Sequence, residues 1–256
     1  MTYFDLSGKH ALVTGATGPL QRALAVGLAE AGANVSLTTT HDRPEEGAEA
    51  SSILDACRSI GRTGEARTVD LLDDAGLETA IASLEQAIAP LDILVNAAHT
   101  AIIKPFLETS AGEVDSTFDT NAAAVFAATR VVGRRMIARG SGRVVNIVSI
   151  LHDRGVPNCA VYSATQGAVL GFTKALGIEW VRQGLTVNAL GIGFFEDVPG
   201  PQQDPELRAA LERYIPLRRL GTGADLQGAL VYLASDEAAW VNAELVVVDG
   251  AISLHS

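Results

Sequence analysis

The stretch "YSATQ" at 162–166 places a phenol, Tyr162, four residues before an uncharged amide, Gln166. An unperturbed phenol titrates near 10, so at neutral pH roughly one in a thousand is ionised, and a carboxamide carries no charge that would change this. Without a nearby cation, Tyr162 is a hydrogen-bond donor or an acid and a poor base. His152, Asp153 and Arg154 follow Ser149, and Cys159 lies three residues before Tyr162; any of them could supply the missing charge or base. A guanidinium from Arg154 beside Tyr162 would restore part of the pKa shift, whereas loop arginines more commonly face water. In "GFFED" (193–197), Phe194 and Phe195 could line an apolar pocket with Glu196 or Asp197 as a base, or could cover the core while the carboxylates face solvent. His99 titrates near neutrality and could act as a ligand or acid/base group, although a satisfied or half-exposed histidine is the plainer reading.

The elements that must position these groups alternate in type. Strand-length apolar runs "HALVT" (10–14), "NVSLT" (34–38), "EARTV" (65–69) and "DILVN" (92–96) are separated by helical patterns near 19–31, 45–59 and 74–88. The alternation continues with a long helix over 111–138, "RVVNIVS" (143–149), a helix over 160–182, "LTVNAL" (185–190), a helix near 223–234 and "ELVVVD" (244–249). This order predicts right-handed βαβ units and an α/β, Rossmann-like, doubly wound sheet of seven parallel strands in one domain over 1–256. The strands are almost continuously apolar, as required when helices cover both faces. Ligands in such folds bind beyond the carboxyl ends of the strands. Residues 191–222, rich in Gly and Pro, are expected to form a substrate loop or lid with a short helix.

Composition narrows the partners. The chain has 256 residues, 48% hydrophobic and 19% charged, which suits a single large core. The net charge of −11 opposes phosphate backbones and anionic lipid, so neither nucleic acid nor membrane is expected as a partner. The first ten residues lack the basic start and apolar run of a signal peptide, and no apolar stretch has bilayer-spanning length; a soluble cytoplasmic protein is expected. Cys57 and Cys159 have no metal-ligand spacing and read as free thiols.

Over essentially its whole length the sequence resembles the short-chain dehydrogenase/reductase family. The matching features are Thr14 and Gly15 after the first strand, Asp70 after the third, "VNAA" (95–98) after the fourth, and Asn121 in the long helix. They continue with Ser149, Tyr162 thirteen residues later, Asn188 in the sixth strand and "VVDG" at 247–250. The resemblance implies a nicotinamide-dependent oxidoreductase. In it Ser149 hydrogen-bonds the substrate carbonyl, Tyr162 exchanges a proton with it, and Asn121 helps to hold a relay water. It also implies a homodimer or homotetramer built on the helices of 111–138 and 160–182, with Gly15, Thr17, Gly18, Leu20, Asp70 and Asn96 at the inherited cofactor positions.

Several residues depart from that pattern. Gln166 stands where the family has a lysine that holds the nicotinamide ribose and lowers the tyrosine pKa. Residues 14–21 read "TGATGPLQ" against "TGxxxGxG", so Pro19 and Gln21 replace the second and third glycines; they add bulk beside the pyrophosphate unless Gln21 points to solvent. Thr39 ends a strand that carries no acid for ribose hydroxyls, and in the following His41-Asp42-Arg43 only Arg43 could reach a phosphate. His99 replaces a glycine of "NNAG". The altered positions would touch the dinucleotide and the kept ones the substrate. The expectation is therefore a cofactor-independent acid/base catalyst using Ser149 and Tyr162 on a small hydroxy, keto or epoxide substrate, with Gln166 at the catalytic centre and His152, Arg154, Phe194 and Phe195 on the substrate side. Halohydrin dehalogenases are a precedent in the superfamily. The alternatives are an NAD(H)- or NADP(H)-dependent carbonyl reductase or alcohol dehydrogenase, and a non-catalytic scaffold.

Overall fold

A computed structural model of the protein describes residues 3–15, 18–40, 44–196, 198 and 200–254. Seven strands form one parallel sheet: β1 (His10–Val13), β2 (Asn34–Thr39), β3 (Ala66–Thr68), β4 (Ile93–Asn96), β5 (Gly142–Ser149), β6 (Leu185–Ile192) and β7 (Leu245–Val248). The helices between them are α1 (Pro19–Glu30), α2 (Pro44–Ser59), α3 (Asp74–Ala87), α4 (Ala111–Phe118), α5 (Ala124–Arg139), α6 (Ala160–Trp180), α7 (Pro205–Tyr214) and α8 (Ala224–Ala234).

Alternation along the strands decides which layer each side chain joins. Ala11 and Val13 of β1 pack with Leu24 and Leu28 of α1 and Leu230 of α8, while Leu12 between them packs with Leu77 and Ile81 of α3. In β4, Ile93 and Val95 join the first layer and Leu94 the second. Both faces are thus apolar, as the continuous strand runs predict. The strand order β3-β2-β1-β4-β5-β6-β7 reverses direction between β1 and β4, and the crevice beyond their carboxyl ends is where such sheets hold ligands.

Three elements differ from expectation. β3 is only three residues long, and β6 runs two residues further than its apolar core suggests, so the crossing segment starts at Gly193. The long helix predicted over 111–138 is interrupted by a π-helical turn, Asp119–Ala123, in which the amide of Ala124 reaches Asp119 O. The extra residue turns Asn121 inward: Asn121 Oδ1 accepts from Thr100 N at 2.7 Å and Nδ2 donates to Thr100 O at 2.8 Å, a two-bond clamp on the chain leaving β4. Such turns are often retained where a site needs a side chain re-aimed.

Candidate active site

Ser149 is the last residue of β5 and Tyr162 lies in the first turn of α6, and their hydroxyls form a hydrogen bond. Burial pushes the Tyr162 phenol up to about 12; the Ser149 bond pulls the other way, and the buried Cys159 adds to the rise. Among the described residues no cation opposes it. Tyr162 therefore keeps its proton across the physiological range, as "YSATQ" suggested, and the cause is burial as well as the missing lysine.

Gln166 is 4% exposed and turns towards β5: its Oε1 accepts from Ser149 N at 2.9 Å and its Nε2 donates to Thr165 Oγ1 at 3.3 Å. It fixes the strand end that carries the serine. Asn121 Nδ2 also donates to Thr165 Oγ1, so Asn121, Thr165 and Gln166 form one polar chain behind the pair. Thr165 was not anticipated; its signal was a hydroxyl three residues after Tyr162, whose carbonyl it meets at 2.7 Å.

Four expected substrate residues sort differently. Phe194 lines the pocket over Ser149 and Tyr162, but Phe195 is buried in the core against β1, β4 and α8. Arg154 does not face Tyr162. Its guanidinium bonds Ile252 O, donates to Tyr214 Oη at 3.1 Å and stacks 5.4 Å from that ring, which ties the loop after β5 to the end of α7. His152 Nδ1 donates to Ser149 O at 2.8 Å, a local brace. Asp197 lies outside the described residues, and Glu196 pairs with Arg208 at 2.7 Å on the surface. The remaining free volume beside Ser149 and Tyr162 is about 20 Å³, roughly room for one water, so a substrate needs the 193–202 wall to move outward.

The dinucleotide end can be tested for fit. Gly15 has φ +73°, and a Cβ there would lie 2.8 Å from Ala98 Cα, so only glycine allows β1 and β4 to approach in this way. Gly18 is extended at the N-cap of α1, Pro19 takes the first position, and the N-cap makes no side-chain bond to the first-turn amides, the donors that a helix start offers to an anion. Gln21 does not point to solvent: it is 3% exposed, its Nε2 donates to Ala97 O at 2.9 Å, and its Oε1 lies beside Gly18. His99 Nδ1 donates to the same carbonyl at 3.1 Å, while its Nε2 is buried without a partner and burial lowers its pKa. Two departures from the glycine pattern thus converge on one carbonyl and brace α1 against β4. These residues fit a pyrophosphate at the start of α1.

Other inherited positions act through backbone or structure. Asp70 Oδ1 accepts from Leu72 N at 2.9 Å and shapes the turn after β3. Asn96 side-chain nitrogen is spent on Thr129 Oγ1 and Asn146 Oδ1 inside the protein, while its Oδ1 is buried with no partner among the described residues. Thr17, with His41, Asp42 and Arg43, lies outside the described residues. Sequence reasoning missed Glu46, a 2% exposed carboxylate in the first turn of α2 that accepts from Thr40 N at 2.8 Å at the end of β2.

Residues 16–253 match the enoyl-(acyl carrier protein) reductase sequence family. The chain belongs to the short-chain dehydrogenase/reductase family. It is 35% identical to gluconate 5-dehydrogenase of Gluconobacter oxydans over 98% of this chain and 97% of that one. It is 32% identical to the 3-oxoacyl-acyl-carrier-protein reductase FabG of Escherichia coli over 96% and 98%. A solved gluconate 5-dehydrogenase from Burkholderia cenocepacia, in complex with NADP and tartrate, superposes with a TM-score of 0.90 at 32% identity, covering 99% of this chain and 98% of that one.

These short-chain dehydrogenase/reductase relatives overturn the expectation of a catalyst that needs no nicotinamide cofactor. They are dehydrogenases and reductases, and one holds NADP on the same fold. The physical error lay in counting Gln21 as loose bulk beside the pyrophosphate when its amide is held by Ala97 O. The chain is a member of this oxidoreductase family.

Proposed function

We propose that this protein is an NAD(P)H-dependent carbonyl reductase acting on a small ketone, with Ser149 and Tyr162 as its catalytic residues. The observation that carries the reading is the buried, protonated Tyr162 hydroxyl bonded to Ser149 on the carboxyl side of the sheet that also bears the Gly15 turn. Gly15, Gly18 and the first amides of α1 would hold the pyrophosphate, Asp70 the adenine end and Tyr162 the nicotinamide ribose. When bound, the dinucleotide supplies a hydride to the carbonyl carbon. As the oxygen gains charge, the Ser149 hydroxyl donates a hydrogen bond to it and Tyr162 gives up its proton, yielding the secondary alcohol. Gln166 holds Ser149 in register through its amide. Without a cation beside it, Tyr162 serves reduction as an acid better than oxidation as a base.

The reading includes a cytoplasmic homo-oligomer and a lid over 193–222. Both cysteines are buried free thiols, and among the described residues no helix is long and apolar enough to cross a membrane. A groove of about 710 Å³ between α5 and α6, floored by Phe126, Phe172, Leu176 and Trp180, supports an interface between copies on those helices.

NADPH and NADH titration followed by nicotinamide fluorescence and melting temperature tests the reading. Saturation at a hundred times the dissociation constant should add about 2.7 kcal/mol of stability. Tyr162→Phe should retain that binding and lose carbonyl reduction by about 100-fold or more. Failure of both nucleotides to bind at about millimolar concentration, far above ordinary dissociation constants, overturns it.

A further inference from the structure

The pocket over Ser149 and Tyr162 has walls of one character. Ile103 comes from the chain after β4, Leu151 from the turn after β5, Ile192 from the end of β6, and Phe194 and Val198 from the segment that crosses the mouth. Among the described residues that line it, none carries a charge. The cations nearest in the chain are committed elsewhere: Lys104 to Glu113, Arg154 to Ile252 O and Tyr214, Arg208 to Glu196 and Glu212, and Arg219 to Asp225. A carboxylate entering this space would lose its hydration and gain no partner, which is among the costliest burials available.

One lining residue breaks the apolar pattern. Gln202 is buried, and its Nε2 donates to Phe195 O at 2.9 Å and Val198 O at 2.6 Å. Two carbonyl acceptors fix the amide orientation, since a flipped amide would set oxygen against oxygen. The Oε1 atom is then buried beside Gly200 with no hydrogen-bond partner among the described residues, in a side chain that lines the pocket. A buried acceptor of this kind calls for a donor, and the space beside it is where the substrate must lie.

The geometry points to a specific substrate class: a small uncharged ketone bearing a hydroxyl group remote from the carbonyl, with the carbonyl oxygen at Ser149 and Tyr162 and the hydroxyl donating to Gln202 Oε1. This rests on the carbonyl reductase reading and separates the protein from the sugar acids named for its gluconate relatives. A polyhydroxy acid would present several further donors and a carboxylate to Ile103, Leu151, Ile192, Phe194 and Val198, none of which can answer them.

A matched series of methyl ketones with equal chain length tests this: 2-pentanone, 5-hydroxy-2-pentanone and 4-oxopentanoate, with 5-ketogluconate as the sugar-acid comparison. Binding to the full-length protein is read by ligand-observed NMR without cofactor, and turnover with NADPH in parallel. The hydroxyketone should exceed 2-pentanone in kcat/KM by about tenfold, as one buried hydrogen bond allows, and 4-oxopentanoate by about 100-fold. Gln202→Leu should bring the hydroxyketone and 2-pentanone to within about twofold of each other while 2-pentanone turnover persists. If the variant merely loosens the loop, both ketones fall together and their ratio stays, which overturns the role of Gln202. Equal or better binding of 4-oxopentanoate or 5-ketogluconate overturns the substrate class, as does absence of binding by all three ketones. Should NADPH fail to bind while the NMR preference holds, the reductase reading falls and the pocket assignment stands.

Discussion

Tyr162 holds its proton because its burial disfavours the phenolate more than the Ser149 hydrogen bond favours it. The proton is retained far above neutral pH, so ketone reduction should show no inflection from Tyr162 between about pH 6 and 9. The reverse oxidation should climb about tenfold per pH unit over the same span, because it draws on the scarce ionised form. Parallel pH–rate profiles in the two directions check this. The stability consequence has a definite sign. With a folded pKa of about 12 above an unfolded value of 10, Tyr162 contributes fully below about pH 10 and the contribution is lost as pH rises from there through 12. Gln166→Leu should leave the buried Ser149 amide unpaired and cost about 1–3 kcal/mol, read as a drop in the denaturation midpoint. That Tyr162 is flanked by a neutral amide was legible in five consecutive letters. That this amide serves Ser149 was not, since its acceptor and donor are assigned only when β5 and α6 lie side by side.

The brace between α1 and β4 belongs to two elements at once. Gln21 and His99 donate to one carbonyl, Ala97 O, from opposite sides, and each stands where the family pattern has glycine. The two should therefore be coupled: Gln21→Gly alone should cost about 1–2 kcal/mol, and the double variant with His99→Gly should differ from the sum of the single effects by about 0.5 kcal/mol or more. Denaturant titration of the four proteins measures the cycle. Burial lowers the His99 pKa, so its contribution to stability is present above about pH 6.5 and is lost as pH falls below that value, where the unfolded chain binds the proton more readily. His99→Gly should reduce the acid sensitivity in part only, because His10, held by Ala89 O and Ser36 Oγ, is buried and shifted the same way. The departures from glycine were visible as letters, yet the sequence reading took them for damage to the cofactor site. Only their shared acceptor shows them to be supports.

At the scale of the whole molecule, a groove of about 710 Å³ lies on α5 and α6, away from the active site. Phe126 stacks on Phe172 with ring centroids 4.3 Å apart and remains 37% exposed, an apolar face with arginines at its edge in Arg130 and Arg134. If this face is the interface between copies proposed above, Phe126→Glu should place a charge within it and convert the assembly to a smaller species by size-exclusion chromatography with light scattering, while the far-ultraviolet spectrum is unchanged. Trp240 is 100% exposed.

What the sequence by itself determined was the order and character of the layers. Apolar runs of strand length, each followed by a helical pattern, can bury both faces only as a parallel sheet between helices. The same order carried Ser149 to the end of β5 and Tyr162 into the first turn of α6, which sufficed to bring them together. Tertiary structure alone decided where the long polar and aromatic side chains point. Gln21 finds its acceptor 76 residues away and Arg154 its carbonyl 98 residues away, while Phe195 turns into the core one residue after Phe194 turns into the pocket. Such a side chain reaches several places at similar conformational cost, and the choice goes to whichever buried partner the fold brings within hydrogen-bonding or packing distance. Local spacing holds no record of that partner, which is why residues that read as damage in the sequence fold into supports.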